Sequence, residues 1–353
     1  MTIEISPLDT LFFKNPKPFN AGNESWSDGI FPPTPSTIYG ALRSIYFRNN
    51  PHELEKANTK DDPTKELKIR KIYLKISQNY YFPLPLDIVK DKDKEKDFYL
   101  LNIEKRNILS NLSLKNLLII DKNIEIDKNI ERVENFYIEK NGFLDYIENI
   151  ENSFTLGNNI ENISNYLKDE PKIGIKIDKS TKTVEEGYLY RIDLKRLDMA
   201  KIVVEFEGLK IDSKLIKLGG EGKMATINYI EDLKILTPPN LNKIFKLYFL
   251  TPAIFDKGWL PKWINKDSLE GEYRGLKLKL LTASIGKYKL IGGFDMKENR
   301  PKPMYRAVPE GSVYYFELLN GDKEKVIKLL HNQAISDKLA NEGYGITFIG
   351  EVK

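Results

Sequence analysis

The first two thirds of the chain alternate apolar and polar residues in short segments, the pattern of half-buried antiparallel strands. We predict strands at Thr2–Ile5, Lys68–Ile76, Tyr80–Phe82, Lys172–Ile177, Gly187–Leu194, Lys201–Phe206, Leu215–Leu218 and Ala225–Tyr229. One segment departs from this alternation. Ile38, Leu42 and Ile45 recur at helical spacing after Ser36, which predicts a helix capped by that serine.

The last third has a simpler order of elements. We predict strands at Ile244–Leu250, Leu276–Thr282 and Ser312–Leu318, a helix at Lys323–Leu330 and a final strand at Ile346–Ile349. Three strands, a helix and a strand resemble a ferredoxin-like unit whose first helix is lost or shortened. The segment Thr237–Asn240, TPPN, is typical of a domain connection. The pattern therefore predicts two related α+β units that meet near residues 231–243.

A polar stretch, Ile88–Glu170, interrupts the first unit. It is rich in Lys, Asn, Glu and Ile, and short helices are predicted near Phe143–Ile150 and Ile160–Leu167. The run Asp91–Asp97, DKDKEKD, is typical of a solvated tip. This stretch holds 12 Lys+Arg against 17 Asp+Glu, so the net charge of +4 is the sum of −5 here and +9 elsewhere. The basic surplus of the flanking parts favours an anionic partner.

Composition excludes several classes of protein. The 353 residues include no cysteine, which rules out disulfides, thiolate metal sites and cysteine nucleophiles. No apolar run approaches the ~18 residues of a membrane span, and the N-terminus lacks a signal-peptide pattern, so we expect a cytoplasmic protein. His52 lies in a polar connector and His331 at the end of the last predicted helix. Neither forms part of a metal-binding motif, and no cofactor is expected.

Two glycine-rich segments are candidate phosphate sites. Leu218–Met224, LGGEGKM, is not a Walker A loop, because Lys217 stands at the first glycine position and Met224 at the hydroxyl position. Its glycines permit backbone N–H groups to converge on a phosphate, or simply a tight turn between strands. Asn341–Gly345, NEGYG, places Tyr344 between two glycines, where it either stacks on a base or packs inward.

The most distinctive segment is Ile291–Phe316, IGGFDMKENRPKPMYRAVPEGSVYYF. Its cations Lys297, Arg300, Lys302 and Arg306 are interleaved with prolines, and it contains neither a nucleophile nor a set of metal ligands. This pattern is typical of a presented basic loop that binds a phosphate backbone or grips a protein partner. A hairpin predicted within Ile173–Arg196 carries further lysines and either follows an RNA backbone or is only solubilised by them.

Together these segments resemble the RAMP superfamily of CRISPR-associated RNA-binding proteins. Within it they most resemble the family of the third subunit of the type III-B (Cmr) effector complex. The resemblance lies in Leu8–Phe19, Trp26–Phe47, Gly174–Arg191, the LGGEGK segment, Leu280–Glu317 and NEGYG, roughly three quarters of the chain. The part from Phe294 to Phe316 is typical of that subunit alone. Lys14 and Lys223 stand where arginine is expected in similar proteins, and lysine binds a phosphate as a point charge without the bidentate fork of arginine.

The resemblance implies an α+β chain of two ferredoxin-like (RRM-like) domains, residues 1–235 with the 88–170 insertion and residues 236–353. It implies a subunit without catalytic activity that holds the 5′ repeat-derived tag of the guide RNA (crRNA). Its implied protein partners are the large polymerase/cyclase-like subunit and a backbone RAMP subunit. The RNA-binding residues that we predict are Arg43, Gly219, Gly220, Gly222, Lys223, Arg300, Lys302, Arg306, Gly343, Tyr344 and Gly345.

Two other functions stay open at this point. A metal-independent endoribonuclease that processes CRISPR repeats needs a general base, and His52 is the only candidate near the first helix. A scaffold that binds protein without touching RNA predicts that Lys223→Glu leaves RNA association intact. An RNA-binding subunit predicts that the same change weakens it, and that affinity falls as salt rises.

Overall fold

Two mainly antiparallel sheets dominate the fold, which is 14% helical and 45% strand. The computed structural model describes residues 1–16, 26–106, 114–121, 130–150, 153–177, 180–181, 183–238, 241–295 and 297–352. Of the predicted connection at Thr237–Asn240, residues 239–240 lie outside the described part. In that part no helix is both long and apolar enough to cross a bilayer.

The N-terminal part holds seventeen strands and two α-helices in its described residues. The strands are β1 (Thr2–Pro7), β2 (Trp26–Ser27), β3 (Lys68–Ile76), β4 (Asn79–Pro83), β5 (Ile88–Asp91), β6 (Asp97–Leu100), β7 (Asn102–Lys105), β8 (Asn116–Ile119), β9 (Ile130–Glu131), β10 (Phe136–Glu139), β11 (Ser153–Thr155), β12 (Ile160–Asn162), β13 (Leu167–Ile177), β14 (Val184–Leu197), β15 (Ala200–Glu207), β16 (Leu215–Lys217) and β17 (Met224–Ile230). The helices are α1 (Pro35–Asn49) and α2 (Lys140–Ile147), with 3-10 helices at Pro51–Lys56 and Ile163–Tyr166.

The first sheet has the strand order β12-β10-β4-β3-β15-β1-β17-β16. Its centre follows from period-two patterning: Ile3 pairs with Val204, Ile5 pairs with Ile202, and all four side chains are buried. α1 packs on this sheet through the apolar stripe that includes Ile38. This stripe fixes which face of the helix contacts the sheet. The helix begins two residues earlier than predicted, with Thr34 in place of Ser36 at the cap position and Pro35 as its first residue, because proline is favoured in the first turn.

The polar stretch Ile88–Glu170 belongs partly to this sheet. β10 and β12 extend it beyond β4, while β5, β6, β9 and β11 form a small separate sheet. The predicted tip is confirmed for residues 92–96, which are exposed between β5 and β6, whereas Asp91 is buried. One predicted helix is present as α2, but the second is wrong. β12 and a single 3-10 turn occupy that segment.

The C-terminal part holds ten strands and one α-helix in its described residues. They are β18 (Ile244–Phe249), β19 (Glu270–Tyr273), β20 (Leu276–Ser284), β21 (Lys289–Ile291), β22 (Phe294–Asp295), β23 (Arg300–Pro301), β24 (Tyr305–Ala307), β25 (Val313–Asn320), α3 (Lys323–Leu330), β26 (Gln333–Ala334) and β27 (Ile346–Glu351), with a 3-10 turn at Ala340–Glu342. The second sheet has the order β19-β20-β25-β18-β27-β26. The strand at Lys68–Ile76 and the helix at Lys323–Leu330 are confirmed to the residue.

The two parts share one core. Tyr248 and Phe348 of the second sheet pack in the same apolar cluster as Phe82 and Phe143 of the first part. A buried polar network crosses the same boundary. The Tyr146 hydroxyl donates to both Asp87 oxygens at 3.0 and 2.9 Å, and the Tyr315 hydroxyl donates to Asp87 Oδ2 at 2.7 Å. The relative position of the two parts is therefore set by close packing and by directional hydrogen bonds.

Candidate nucleic-acid interface

The turn between β16 and β17 contains three glycines, and two of them pack closely against another segment of the chain. Gly219 and Gly222 have φ of +80° and +65°, values that favour glycine. A Cβ on Gly219 would lie 2.3 Å from the Phe12 carbonyl oxygen, and the Gly220 N–H donates to that oxygen at 2.8 Å. At Gly222 a Cβ would meet nothing within 4 Å. Of the three predicted glycines, Gly222 is the one that leaves room for a ligand.

Lys223 is held by side chains from the loop after β1. Its Nζ donates to Thr10 Oγ1 at 2.6 Å and lies 3.6 Å from Asp9 Oδ2. Arg196 also contacts Asp9, with Nη2 at 2.8 Å from Oδ1. The Thr10 backbone N–H, followed by the Arg196 side chain, holds the pKa of Asp9 below its usual range. The Lys223 charge is thus partly balanced within the chain, and a phosphate would have to compete with Asp9.

The second glycine segment is a structural turn. Tyr344 is fully buried, and its hydroxyl lies 3.1 Å from Ser36 Oγ at the start of α1. Gly343 accepts a hydrogen bond from Thr251 Oγ1, and Gly345 donates its N–H to the Pro252 carbonyl. All three residues are buried. In this conformation the Tyr344 ring is buried away from any base, and both glycine backbones already bind the chain.

Arg43 is also occupied within the chain. Its guanidinium donates to Thr64 Oγ1 at 2.7 Å, Asn58 Oδ1 at 3.0 Å and Asp62 Oδ2 at 2.6 Å. It also lies over the Tyr39 and Phe47 rings, at 5.7 and 5.6 Å from their centroids. Arg43 therefore fastens the loop after the first 3-10 helix to α1, and it offers no free fork to a phosphate.

The basic segment of the C-terminal part forms a narrow two-stranded ribbon. We call residues 288–295 and 297–307 the basic ribbon. β21 pairs with β24 at its root, and β22 pairs with β23 towards its tip. Backbone N–H groups of Lys297 and Glu298 donate to Asp295 Oδ1 at 3.0 and 3.1 Å, which closes the tip. Residues 297–304 of the predicted basic loop are exposed, and this geometry does not identify their ligand.

The ribbon presents rings beside its cations. The exposed fraction is 50% for each of Tyr288, Phe294 and Met304. The Arg306 guanidinium lies 5.0 Å from the centroid of the Tyr288 ring, and Arg300 and Lys302 are exposed. Exposed rings interleaved with cations are the arrangement by which proteins bind single-stranded nucleic acid without sequence preference.

A cleft of about 490 Å³ lies between the two parts of the chain, next to the ribbon root. Its apolar walls come from the first sheet, the proline-rich loop and the C-terminal part, and they include Ile72, Leu74, Ile202, Phe31, Pro32, Pro33, Leu250, Pro252 and Ile291. Lys289, Glu310 and Tyr137 supply polar groups, with Lys289 in an ion pair with Glu310. Burial, and then the Glu310 charge, raise the pKa of Tyr137, so its hydroxyl stays protonated.

Sequence reasoning missed Tyr288 and Phe294 as exposed rings, and missed the cleft altogether. The rings were visible as aromatics among cations, but the same description fits Tyr305, which is half-buried beside Lys338. The two histidines of the described chain lie in different surroundings. His52 is exposed, and His331 is buried with Nδ1 accepting from the Ile349 N–H. No group of three or more potential metal ligands occurs among the described residues.

Comparison with known proteins gives consistent matches. The family described as CRISPR-associated protein (Cas_Cmr3) matches residues 3–352. The CRISPR system CMR subunit Cmr3 of Saccharolobus solfataricus is 25% identical over 334 residues, which are 91% of this chain and 88% of that protein.

Solved structures give a likeness of fold. A chain in the cryo-EM structure of the Type III-B Cmr-beta bound to cognate target RNA is 19% identical, with a TM-score of 0.50, and the match covers 89% of this chain and 86% of that one. A chain in the structure of Cmr-beta with target RNA and AMPPnP is 20% identical over the same shares, with a TM-score of 0.49. At these identities the likeness concerns the fold alone.

Proposed function

The chain belongs to the Cmr3 family of CRISPR-associated proteins, and we propose that it is a non-catalytic RNA-binding subunit of a type III-B effector complex. In this role it holds the 5′ repeat-derived tag of the guide RNA. It also bridges the large polymerase/cyclase-like subunit to the first backbone subunit. The observation that carries the RNA-binding role is the basic ribbon, because it combines exposed cations with exposed rings on one element.

The proposed contacts differ in kind along the ribbon. Arg300, Lys302 and Arg306 contact phosphates, while Tyr288 and Phe294 stack on bases that are splayed out of the strand. Gly222 and Lys223 supply a secondary phosphate contact at the glycine turn. We no longer include Arg43, Gly343, Tyr344 or Gly345, whose polar groups or rings are occupied within the chain.

We assign both parts of the chain to the ferredoxin-like fold. The sheet order β17-β1-β15-β3 places the first and third strands of the unit at the centre, with α1 following the first strand. The order β27-β18-β25-β20 repeats this arrangement, with α3 before the last strand. Repetition of one order in two halves supports the division at residue 235, although the apolar core is continuous across it.

The absence of catalysis is proposed from the surroundings of the polar side chains. Cleavage of RNA without metal requires a base and an acid positioned beside the 2′-OH. His52 lies exposed in the 3-10 helix Pro51–Lys56, and His331 is buried against Ile235 and Ile349. We therefore expect no cleavage of repeat RNA by the purified chain. Cleavage that His52→Ala abolishes would overturn this part of the proposal.

The first experiment is to tag the chain in its native cell, purify it gently and sequence the 5′ ends of the RNA that accompanies it. A pool that shares one short repeat-derived 5′ tag, with the large and backbone subunits present, supports the proposal. Absent RNA, or RNA with random 5′ ends, overturns the tag-binding role. RNA with a common tag but without the large subunit would contradict the bridging role alone.

Two variants sharpen this experiment. Replacement of Arg300, Lys302 and Arg306 by glutamine removes three ribbon charges, and we expect it to deplete the RNA. Replacement of Lys266, Lys323 and Lys328 by glutamine removes the same charge from exposed positions outside the ribbon. This control is expected to retain the RNA. Equal loss in both variants would show that net charge, and not the ribbon, holds it.

A further inference from the structure

The basic ribbon is pinned to the N-terminal part at its tip. Lys297 Nζ donates to the carbonyl oxygens of Glu55 and Ala57, each at 2.8 Å. These carbonyls end the 3-10 helix Pro51–Lys56, where the helix dipole favours a cation. Lys297 and Ala57 are 240 residues apart, so this contact joins the two parts of the chain and not neighbouring elements.

The root of the ribbon lies at the cleft. Lys289 and Ile291 of β21 form part of the cleft wall, and Gly292 lies against Pro16, since a Cβ there would be 3.1 Å from Pro16 Cβ. Gly292 and Gly293 then lead into the projecting portion. The ribbon is thus attached at both ends, and its root forms part of the cleft wall.

Between these two attachments the ribbon is little buried. Of its described residues from 293 to 304, all except Asp295 are exposed. Its own hydrogen bonds include those at the Asp295 turn and one from the Lys302 N–H to the Gly293 carbonyl at 2.9 Å. A segment with little buried apolar surface opens at low free-energy cost, so release of the tip frees the ribbon without disturbing either sheet.

We propose that the basic ribbon is a strap that opens and closes over single-stranded RNA, with Lys297 as its latch. With the latch on Glu55 and Ala57, the ribbon closes one flank of the cleft. With the latch released, the ribbon swings on Gly292 and Gly293 and admits the strand. Relatching retains the strand, and RNA phosphates compete with the two neutral carbonyls for the Lys297 ammonium. This inference rests on the proposed RNA-binding function, and it adds that the ribbon controls entry and release of the RNA.

A substitution of Lys297 separates a latch from an ordinary RNA contact, because the two predict opposite changes in association rate. Lys297→Met removes one positive charge, and a residue that only steers RNA would then lower the rate. A latch predicts that the rates of association and dissociation both rise, by about threefold to tenfold. Lys302→Met is the matched control on the same ribbon, and we expect it to lower the association rate by about twofold.

Stopped-flow measurement with a fluorescent single-stranded RNA and the full chain supplies these rates. The Lys302 N–H donates to the carbonyl of the hinge residue Gly293, so its amide exchange in the free protein reports strap opening without RNA. We expect this exchange to be faster in Lys297→Met. If Lys297→Met slows association as Lys302→Met does and leaves the Lys302 exchange unchanged, the strap is overturned.

Locking the strap tests the same idea in the opposite direction. The chain has no cysteine, so Ala57→Cys with Lys297→Cys creates a unique pair that a short bis-methanethiosulfonate can bridge reversibly. Bridging before RNA is added should slow association at least about tenfold, and bridging afterwards should slow dissociation. Reduction should restore both rates.

The matched control bridges Arg48→Cys to Ser213→Cys, whose native side chains are in contact at 2.9 Å outside the ribbon. Unchanged rates in the bridged 57–297 pair would overturn the strap while leaving RNA binding in place. If the unbridged chain binds no RNA in either experiment, the proposed function fails, and amide exchange alone then decides whether the ribbon opens.

Discussion

Tyr344 shows how a local pattern misleads at the scale of one residue. An aromatic residue between two glycines suggests a presented ring, yet Gly343 and Gly345 have φ of +96° and +72° because the chain turns tightly there. That turn drives the ring inward, towards Ser36 and a small apolar cluster. Glycines on both sides of a residue allow unusual backbone angles, but they do not say which way the side chain between them points.

Phe294 is the residue whose replacement should most directly weaken RNA binding. Phe294→Ser removes an exposed ring without changing charge, and loss of one stacked base costs about 1–3 kcal/mol. We expect the Kd for single-stranded RNA, measured by fluorescence anisotropy, to rise by a factor between about 5 and about 150. Leu236→Ser, at an apolar residue outside the ribbon whose exposed fraction is 69%, is the control. An equal effect in both variants would contradict stacking at Phe294.

His331 should make the free energy of unfolding depend on pH below the ordinary histidine pKa. Burial lowers the pKa of His331, and its contacts fit the neutral ring, with Nε2 at 3.2 Å from the Ile235 carbonyl and Nδ1 accepting from Ile349. The unfolded chain therefore binds the proton more readily than the folded chain does. As pH falls from the ordinary histidine pKa to the lowered one, the free energy of unfolding decreases.

Thermal unfolding at about pH 7.5 and about pH 5.5 tests this dependence. We expect a larger fall in Tm for the native chain than for His331→Gln, whose amide can keep both hydrogen bonds without titrating. His52→Gln, at the exposed histidine, should behave as the native chain does. An equal fall in all three proteins would contradict the assignment to His331.

At the scale of elements, the stretch Ile88–Glu170 contributes strands to the first sheet and side chains to the core. β10 and β12 continue the first sheet, and α2 carries Phe143 and Tyr146 to the boundary between the two parts of the chain. Its polar composition reflects the exposed residues 92–96 and other surface positions, whereas Phe98, Phe143 and Tyr146 within it are completely buried. Average polarity over a long window hides such residues, because a strand at a sheet edge needs only alternate apolar positions.

The buried network of Asp87 should behave as a single unit that joins the two parts. Burial raises the pKa of Asp87, and the Lys246 charge, from β18 of the second sheet, opposes that rise. Lys246 is itself buried, with Nζ 3.6 Å from the centroid of the Tyr146 ring. Removing Asp87 deletes the carboxylate that balances this cation, so Asp87→Ala should lower the free energy of unfolding by about 3–5 kcal/mol.

A double-mutant cycle measured by urea unfolding checks this coupling. Asp87→Ala combined with Lys246→Met should cost less than the sum of the single changes by more than about 1 kcal/mol. The exposed pair Lys168 and Asp198, 3.3 Å apart, serves as the control cycle and should show little coupling. Additive effects at Asp87 and Lys246 would mean that the two charges do not depend on each other.

At the scale of the whole molecule, the separation of charge matters more than its sum. The stretch Ile88–Glu170 carries a net −5, so the rest of the chain carries +9. Attraction of a polyanion is therefore directed to one part of the surface, and binding should release counterions from the RNA. A plot of log Kd against log salt concentration should rise steeply for the native chain.

The three ribbon charges should account for a defined part of that slope. For single strands each neutralised phosphate contributes about 0.7 to the slope, so replacing Arg300, Lys302 and Arg306 by glutamine should reduce it by about 2. Replacing Lys266, Lys323 and Lys328 should leave it nearly unchanged. A similar reduction in both variants would show that RNA responds to net charge and not to the ribbon.

The sequence by itself determined the central strands of both sheets and the helices α1 and α3, and it identified the basic segment and the family. These properties depend on periodic apolar positions and on short motifs, which act over a few residues. Only the tertiary structure decided how polar groups are used. Arg43 is bound by Asp62, the buried Tyr344 contacts Ser36 of α1, and Lys297 donates to the Ala57 carbonyl. Each of those outcomes depends on which distant backbone or carboxylate lies within reach, and that is settled by packing and not by local propensity.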